Sequence, residues 1–364
     1  MNIVLNKNFL NEIDNLMLKE DLEEIRKKIK EIKDKLINTD EFKKDGIYTV
    51  KSNWIFDKLN HIEKSKTLDR AKYYLLRIKK GLTEIRTTGI NDINLNRWEE
   101  YEDIITDSLW IIEKRDNSGV HRAWYHGNFV PQIPRQVMLR YTKKYDVVVD
   151  PFLGSGTTLI ECKRLGRHGI GVELNEEVAK KAKELIDKEQ NPYNVITDVI
   201  VGDSRKINFK EILDKHGFKS CQLLIMHPPY HDIIKFSDKK EDLSNAKTVK
   251  EFLKMFEEIV DNTYDILDNG RFLVLVIGDK YSNGEWIPLG FYCMDVVMKK
   301  GYKLKSIVVK NFGETKGKMN QKNFGGIEHW LVVFMFSNTN IYLYSKKIVK
   351  CICFNNLASI FLCF

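Results

Sequence analysis

The sequence lacks the features that would place the protein in a membrane, secreted or metal-binding class. It contains no run of about 18 uncharged apolar residues and no signal-peptide pattern, so we expect a cytoplasmic protein that does not contact a membrane. Cysteine is scarce, with six in 364 residues. Three of these cysteines lie in apolar segments, as buried free thiols do in a reducing compartment: Cys162, Cys221 and Cys293. No cysteine pair has further metal ligands beside it, apart from Cys351 and Cys353, and we expect no metal.

The length and charge are compatible with two units and a polyanionic partner. With 364 residues and 43% hydrophobic content, the chain can hold a core domain and a smaller one. Neither an internal repeat nor a low-complexity linker is present. The formal net charge is +8 and the pI is about 8.9. Such a balance suits nucleic acid, although charged runs are more often simply solvated helical faces.

The most informative segment is 146–158, in which three valines are followed by an acid and a glycine-rich turn. The valines have the pattern of a buried parallel strand, so Asp150 is expected at its carboxyl end. Gly154 and Gly156 allow the backbone to turn tightly and a ligand to approach. Thr157 then begins a helix whose unpaired amides can face a carboxylate. A dinucleotide-binding turn is the plain alternative, but the third glycine of that fingerprint is missing.

Further strand ends follow this turn. The strand at 169–173 ends at Glu173, about 20 residues beyond the glycines, which is the spacing at which a carboxylate meets ribose hydroxyls in doubly wound folds. A third strand ends at Asp203, and a fourth runs into His-Pro-Pro-Tyr at 227–230. Open α/β sheets place their sites at such strand ends.

The residue types of the tetrad at 227–230 themselves predict a backbone conformation and a binding role. Two consecutive prolines remove two amide donors and hold the backbone extended, so the carbonyl groups of His227 and Pro228 can face a cleft. Those carbonyls are acceptors for an exocyclic amine. The ring of Tyr230 can stack on a base that has been extruded from a duplex. The plain alternative is a strand-ending turn with a tyrosine in the core.

With these motifs, the chain resembles the DNA amino-methyltransferases, which methylate N4 of cytosine or N6 of adenine. The resemblance covers roughly residues 119–323. It implies that S-adenosyl-L-methionine is the cofactor, that the glycine turn holds its methionine part, and that the acids after the second and third strands meet ribose and adenine. An upstream segment at 126–134 resembles the family's cofactor-closing motif. The resemblance assigns ten residues to the cofactor: Asn128, Phe129, Asp150, Pro151, Phe152, Gly154, Gly156, Thr157, Glu173 and Asp203.

The resemblance also assigns catalysis to His227, Pro228, Pro229 and Tyr230. The amino nitrogen would attack the cofactor's methyl group directly, with hydrogen-bond acceptors orienting the amine. The family usually has Asp, Asn or Ser where this chain has His227. An imidazole accepts only when neutral, so we predict that activity falls below a pKa near 6.5 if the group is unperturbed. Because Ser accompanies cytosine and Asp or Asn adenine in the family, we favour cytosine N4, with adenine N6 as the alternative.

The predicted architecture is α/β, a Rossmann-like class I methyltransferase sheet that is mostly parallel. Strands at 271–279 and 303–310 would be the fifth and sixth, and a seventh, antiparallel strand should pair with the sixth. Residues 12–37 and 68–82 have helical periodicity. We therefore divide the chain into a mainly helical region at 1–118 with a DNA-recognition role, a catalytic domain at 119–323 and an abnormal tail at 324–364.

The tail differs in composition from the rest of the chain. Only four of its 41 residues are charged, against 30% overall. A shifted reading frame of its back-translated codons permits a Trp-Arg-Tyr-Arg-Ala-Leu segment followed by a strand with basic flanks, an ending that resembles relatives of this chain. We hypothesise a one-base deletion near codons 323–325, with 330–336 as a substitute seventh strand. An ordinary lineage-specific tail is the alternative.

Three functions remain open from the sequence. The first is a methyltransferase of double-stranded DNA, with a cognate restriction endonuclease as its partner. The second is an RNA or protein-glutamine methyltransferase that shares the Pro-Pro-Tyr device. The third is a DNA-binding remnant inactivated by the frameshift. The recognition sequence and the oligomeric state have no signature that we can interpret.

Overall fold

The computed structural model describes residues 1–282, 284–311 and 331–337. The chain divides into two compact units, Met1–Ile104 and Ile105–Phe364. The boundary falls before the predicted position at residue 118, because residues 109–111 form a strand of the second unit. Among the described residues, no helix combines the length and the apolar character that a membrane span requires.

The first unit is mainly helical. Two short antiparallel strands accompany four helices, whose buried faces share one apolar core that includes Phe9, Trp54 and Leu75. The single helix predicted at 12–37 is two helices, since the side chain of Asp21 caps a new helix by accepting from the amide of Glu23. The elements are β1 (Asn2–Leu5), α1 (Lys7–Met17), α2 (Leu22–Asn38), β2 (Tyr48–Lys51), α3 (Ser52–Glu63) and α4 (Leu68–Thr83).

The second unit alternates strands and helices. Its elements are β3 (Leu109–Ile111), α5 (Gln132–Tyr141), β4 (Val147–Asp150), α6 (Thr157–Leu165), β5 (His168–Glu173), α7 (Glu176–Lys188), β6 (Thr197–Val201), α8 (Phe209–Lys215), β7 (Cys221–Met226), α9 (Val249–Tyr264), β8 (Leu267–Gly278), β9 (Lys280–Ser282), β10 (Glu285–Ile287), α10 (Leu289–Lys299), β11 (Lys303–Asn311) and β12 (Leu331–Ser337).

Eight of these strands form one sheet in the order β3-β11-β12-β8-β7-β4-β5-β6, and β9 and β10 form a separate antiparallel pair. The five strands from β8 to β6 are mutually parallel, and β12 runs antiparallel to both of its neighbours. The expected Rossmann-like sheet with an antiparallel strand beside the sixth is therefore confirmed. The sheet has one strand more than predicted, because β3 pairs in parallel with β11 at the edge.

The central strands β4, β5 and β7 are buried on both faces, as their largely apolar sequences predict. Every residue of β4 is buried, and Val149 and Leu224 of the next strand lie in one core with Phe252 and Phe256 of α9. Burying each large side chain contributes roughly 1.5 to 3 kcal/mol. This packing holds the carboxyl ends of the central strands in a fixed relation.

The hypothesis about 324–364 falls mostly outside the described residues. Of that segment the structure describes only β12, whose backbone pairs with β11 and β8 over seven residues. The predicted substitute strand at 330–336 is thus displaced by one residue from the strand observed.

Candidate functional site

The carboxyl ends of β4, β5, β6 and β7 open into one cavity of about 380 Å³. That volume lies within the range of small-molecule sites. The whole predicted tetrad lies in the wall: His227, Pro228, Pro229 and Tyr230. Seven of the ten residues predicted for the cofactor lie there as well: Asn128, Phe129, Pro151, Phe152, Gly154, Glu173 and Asp203. The parallel sheet therefore brings two separately predicted sites into one space.

Three predicted cofactor residues, Asp150, Gly156 and Thr157, do not line this cavity. Asp150 is buried, and its carboxyl oxygens accept from the Thr158 hydroxyl at 2.5 Å and the Phe152 amide at 2.9 Å. Burial, with a smaller effect from the Glu173 charge, raises the pKa of Asp150 to about 7. This side chain therefore ties the glycine turn to the first turn of α6.

Gly156 also shapes the turn from behind the cavity. It precedes α6 with a φ of +84°, in the left-handed region that favours glycine. A Cβ at this position would lie 2.9 Å from Cδ1 of Ile186. Gly156 thus contributes to the turn through its backbone conformation.

Glu173 joins the two adjacent loops at the cavity. One carboxyl oxygen accepts from the amide of Gly154 at 2.9 Å, and the other accepts from the amide of Asn175 at 2.8 Å. Each carboxylate oxygen has a second lone pair, so the group can still accept from sugar hydroxyls. Burial raises the pKa of Glu173 above its ordinary value.

Asp203, at the end of β6, lies in the wall beside Arg205. The guanidinium donates to both carboxyl oxygens, at 3.0 Å and 2.8 Å. Burial raises the pKa of Asp203, but the hydrogen bonds from Arg205 outweigh it, and the net pKa lies below the ordinary value. The carboxylate is therefore charged and held in one orientation.

The upstream segment at 126–134 connects the glycine turn to the tetrad. Oδ1 of Asn128 accepts from the Ser155 hydroxyl at 2.5 Å. The ring of Phe129 stacks on the imidazole of His227, with centroids 4.5 Å apart and planes 29° apart. This segment thus spans both ends of the cavity.

Within the tetrad, Nε2 of His227 lies 3.0 Å from the hydroxyl oxygen of Tyr230. Burial, and to a lesser extent the charge of Lys310, lowers the pKa of His227 to about 4. The condition for a pKa near 6.5, an unperturbed imidazole, is not met, because the ring is buried between Phe129 and Tyr230. The imidazole is neutral throughout the physiological range.

Tyr230 is held from its other side by β8. Burial raises the pKa of its hydroxyl, opposed by a hydrogen bond from the backbone of Gly278. A Cβ on Gly278 would lie 2.8 Å from Cε2 of the ring. Whichever of the two groups donates, Nε2 of His227 is engaged with the Tyr230 hydroxyl. It is therefore not free to accept an amine.

The loop after the tetrad supplies residues whose roles the sequence left unassigned. His231 has a φ of +55°, and its Nε2 lies 2.9 Å from the carbonyl oxygen of Ala246. Nζ of Lys280 lies 3.2 Å from Nδ1 of His231 and also donates to Asp232. These contacts brace the loop beneath the cavity.

Sequence reasoning missed two aromatic residues of the wall, Tyr125 and Phe236. Their rings stack with centroids 5.5 Å apart. No local motif marks them, since their partnership joins segments more than a hundred residues apart.

One cluster of metal-ligand type lies elsewhere in the second unit: Asp116, His121 and Glu161. Arg164 donates to Glu161 at 3.3 Å and lies 3.5 Å from Asp116. The guanidinium supplies the positive charge that these carboxylates need, so the cluster is an ion-pair network.

The strand order defines a Rossmann-like α/β fold, and the cofactor that the sequence resemblance implies for its cavity is S-adenosyl-L-methionine. The residues present fit that group, because a mainly apolar wall ends at the fixed carboxylates Glu173 and Asp203.

Comparisons with known proteins show similarity to DNA methyltransferases. A family model described as DNA methylase matches residues 18–184. The chain is 41% identical over 63 residues to the type II methyltransferase M.HpaI of Haemophilus parainfluenzae, covering 17% of this chain and 20% of the relative. It is 39% identical over 79 residues to M.SmaI of Serratia marcescens, covering 22% and 26%. Over the matched segments the chain is thus similar to DNA methylases.

Other similarities are more distant. A tRNA (guanine(10)-N2)-dimethyltransferase of Methanocaldococcus jannaschii is 29% identical over 149 residues, covering 39% of this chain and 38% of the relative. The structure of TrmN from Thermus thermophilus is similar with a TM-score of 0.40 and 16% identity, covering 59% of this chain and 51% of that one. All of these alignments span well under two thirds of the relatives' own length.

Proposed function

We propose that the protein transfers a methyl group from S-adenosyl-L-methionine to an exocyclic amino group of a base in double-stranded DNA. The observation that carries this proposal is the shared cavity, in which Glu173 and Asp203 stand at one end and the Pro-Pro-Tyr tetrad at the other. When bound, the cofactor supplies an electrophilic methyl group. The chain's own residues must then present an amine to it.

Tyr230 would hold the extruded base by stacking. A base inside a duplex cannot reach a cavity of this kind, so it must leave the helix. The ring of Tyr230 is fixed by His227 on one side and Gly278 on the other. A preset aromatic face lowers the entropy that base binding costs.

The amine would be oriented by backbone carbonyl oxygens at 227 and 228. Pro228 and Pro229 have no amide hydrogen, and the Pro228 and Pro229 rings keep that backbone extended. An amine that donates to these oxygens points its lone pair away from them, towards the methyl group. His227 then acts as a positioning residue for Tyr230.

Cytosine N4 is the base we propose. His227 is neutral, as is the serine that the family resemblance associates with cytosine; of the residues associated with adenine, the aspartate is charged and only the asparagine is neutral. Adenine N6 is the alternative, and the modified nucleoside distinguishes them.

The test is methylation by purified full-length chain with labelled cofactor and unmethylated bacterial DNA, followed by mass spectrometry of the nucleosides. N4-methylcytosine is expected, and N6-methyladenine would reassign the base. Tyr230→Ala should abolish incorporation while cofactor binding persists. Cofactor binding without label entering duplex DNA would overturn the proposal.

RNA is a second candidate substrate, favoured by the tRNA methyltransferase alignment, which covers more of this chain than either type II alignment. The same labelled assay with transfer RNA separates the two. A restriction endonuclease remains the proposed partner, to be sought as a nuclease blocked by this methylation.

We also propose that a one-base deletion produced the sequence after 323, which would leave this chain less active than its relatives. The scarcity of charge in 324–364 supports it.

A further inference from the structure

The first unit carries four cations and one tyrosine in a row that begins just before α4 and continues along one face of that helix. Its members recur at helical spacing: Lys66, Arg70, Tyr73, Arg77 and Lys80. At 100° per residue, the four that lie within the helix fall in an arc of about 80°. Lys66, Arg70 and Lys80 are exposed, Tyr73 is 45% exposed and Arg77 is partly exposed. We call these five residues the basic row.

The charge is concentrated here and is not a property of the whole unit. Residues 1–104 contain 21 Lys and Arg against 20 Asp and Glu. Residues 61–80 contain seven basic residues and only two acidic ones. Within a nearly neutral unit, the net positive charge is therefore concentrated in residues 61–80.

The cations of the basic row have no carboxylate partner among the residues that the structure describes, unlike the other cations of the same helix. Lys72 pairs with Glu20 at 2.6 Å, and Lys79 pairs with Asp14 at 2.8 Å. An ordinary solvated helix face alternates its charges, as α2 does with its Lys28 and Glu31 pair.

Arg70 is ordered by neutral groups. Its guanidinium lies 5.0 Å from the ring centroid of Tyr73 and 4.7 Å from that of Tyr74, and it donates to the Tyr74 hydroxyl at 2.8 Å. The aromatic rings fix its position without cancelling its charge. An arginine that is held in position and still charged can bind a phosphate group.

We propose that the basic row is a contact surface for the phosphate backbone of duplex DNA. From Arg70 to Lys80 the row spans about 15 Å of helix, compared with a major-groove width of about 12 Å. Phosphate contacts of this kind position a protein on DNA without specifying sequence. The proposal rests on the proposed function and adds the surface by which the first unit engages the substrate.

The test is the salt dependence of duplex binding by the full chain, measured by fluorescence anisotropy between 50 and 300 mM salt. Replacing Lys66, Arg70, Arg77 and Lys80 by Gln should reduce the slope of log affinity against log salt by roughly three to four, at about 0.9 per lost phosphate contact. Cofactor affinity and thermal unfolding report that both units stay folded.

Two matched double variants distinguish the effect of the basic row from the effect of total charge on α4. Arg77→Gln with Lys80→Gln should lower the slope by about two. Lys72→Gln with Lys79→Gln removes the same charge from the same helix and should leave the slope unchanged. Equal effects of the two pairs, or an unchanged slope in the quadruple variant, would overturn the proposal.

Two further outcomes separate this proposal from the function on which it rests. If the wild-type chain methylates DNA but the basic row has no effect on the slope, only the surface is wrong. Binding of duplex RNA in preference to DNA, lost in the quadruple variant, would overturn DNA as the partner. Absence of both DNA binding and DNA methylation would overturn both proposals.

Discussion

Nε2 of His227 lies 3.0 Å from the hydroxyl oxygen of Tyr230, so a hydrogen bond joins the first and last residues of the tetrad. The two prolines between them make the backbone stiff, and Phe129 and Gly278 confine the two rings from outside. His227 is thereby a hydrogen-bond partner of Tyr230, the residue that we propose stacks on the base. This relationship leads to the first two predictions.

Tyr230→Phe should lower kcat by about fivefold, because losing one hydrogen bond of roughly 1 kcal/mol loosens a ring that must be prepositioned. Cofactor affinity should change less than twofold. Single-turnover methylation and calorimetric cofactor titration are the measurements. Tyr145→Phe, at an exposed tyrosine, is the control. An unaltered kcat would show that the hydroxyl has no positioning role.

Gly278→Ala should displace the Tyr230 ring, since the added methyl would lie 2.8 Å from Cε2. Overpacking of this kind costs about 1 to 3 kcal/mol. Urea unfolding should show that cost in the wild-type background and a smaller one in Tyr230→Ala, where the ring is absent. Additive effects of the two substitutions would contradict the proposed contact.

Activity should be flat from about pH 5.5 to 8 as far as His227 is concerned, because its pKa of about 4 keeps it neutral there. The folded-state pKa lies below the unfolded value near 6.5, so the unfolded chain takes up the proton first on acidification. Stability linked to His227 is complete above pH 6.5 and is lost as the pH falls towards 4.

Urea unfolding of wild type and His227→Asn at pH 7.5 and 5.0 measures this linkage. The wild type should lose about 2 kcal/mol more than the variant between the two values. Asp150 titrates in both proteins and cancels in the comparison. Equal losses would mean that the histidine is not shielded.

Glu173→Gln should weaken cofactor binding by roughly ten- to a hundredfold, because the neutral amide offers one acceptor oxygen where Gly154 and Asn175 both need one. Saturating cofactor should restore much of the methylation rate. Glu177→Gln, at an exposed position of α7, is the matched control. Equal dissociation constants for wild type and Glu173→Gln would remove this residue from the cofactor site.

Resequencing genomic DNA across codons 318–350 should reveal one additional base that restores the Trp-Arg-Tyr-Arg-Ala-Leu segment. The restored protein should unfold at a higher temperature and be more soluble, because a proper final strand would replace the present one. Confirmation of the present sequence, with equal stability of the two proteins, would make the tail an ordinary one.

The central strands and the residues at their ends could be predicted because each is specified by a short, local sequence pattern. An apolar run followed by Asp150 and a glycine turn specifies a buried strand and its exit, whatever lies elsewhere. The extra strand β3 could not be predicted, since its three residues acquire strand geometry only by pairing with β11. The break between α1 and α2 depends on a single cap at Asp21, which the continuous helical periodicity concealed.

By itself the sequence determined the Rossmann-like sheet, the strand ends at Glu173 and Asp203 and the position of the His-Pro-Pro-Tyr tetrad, because these depend on periodicity, proline and glycine. Only the tertiary structure decided what each side chain faces. Packing turned Asp150 towards Thr158 and away from the cavity. It also shielded His227 between two rings, which shifted its pKa. Burial and partner geometry arise from segments distant in sequence, and no local pattern records them.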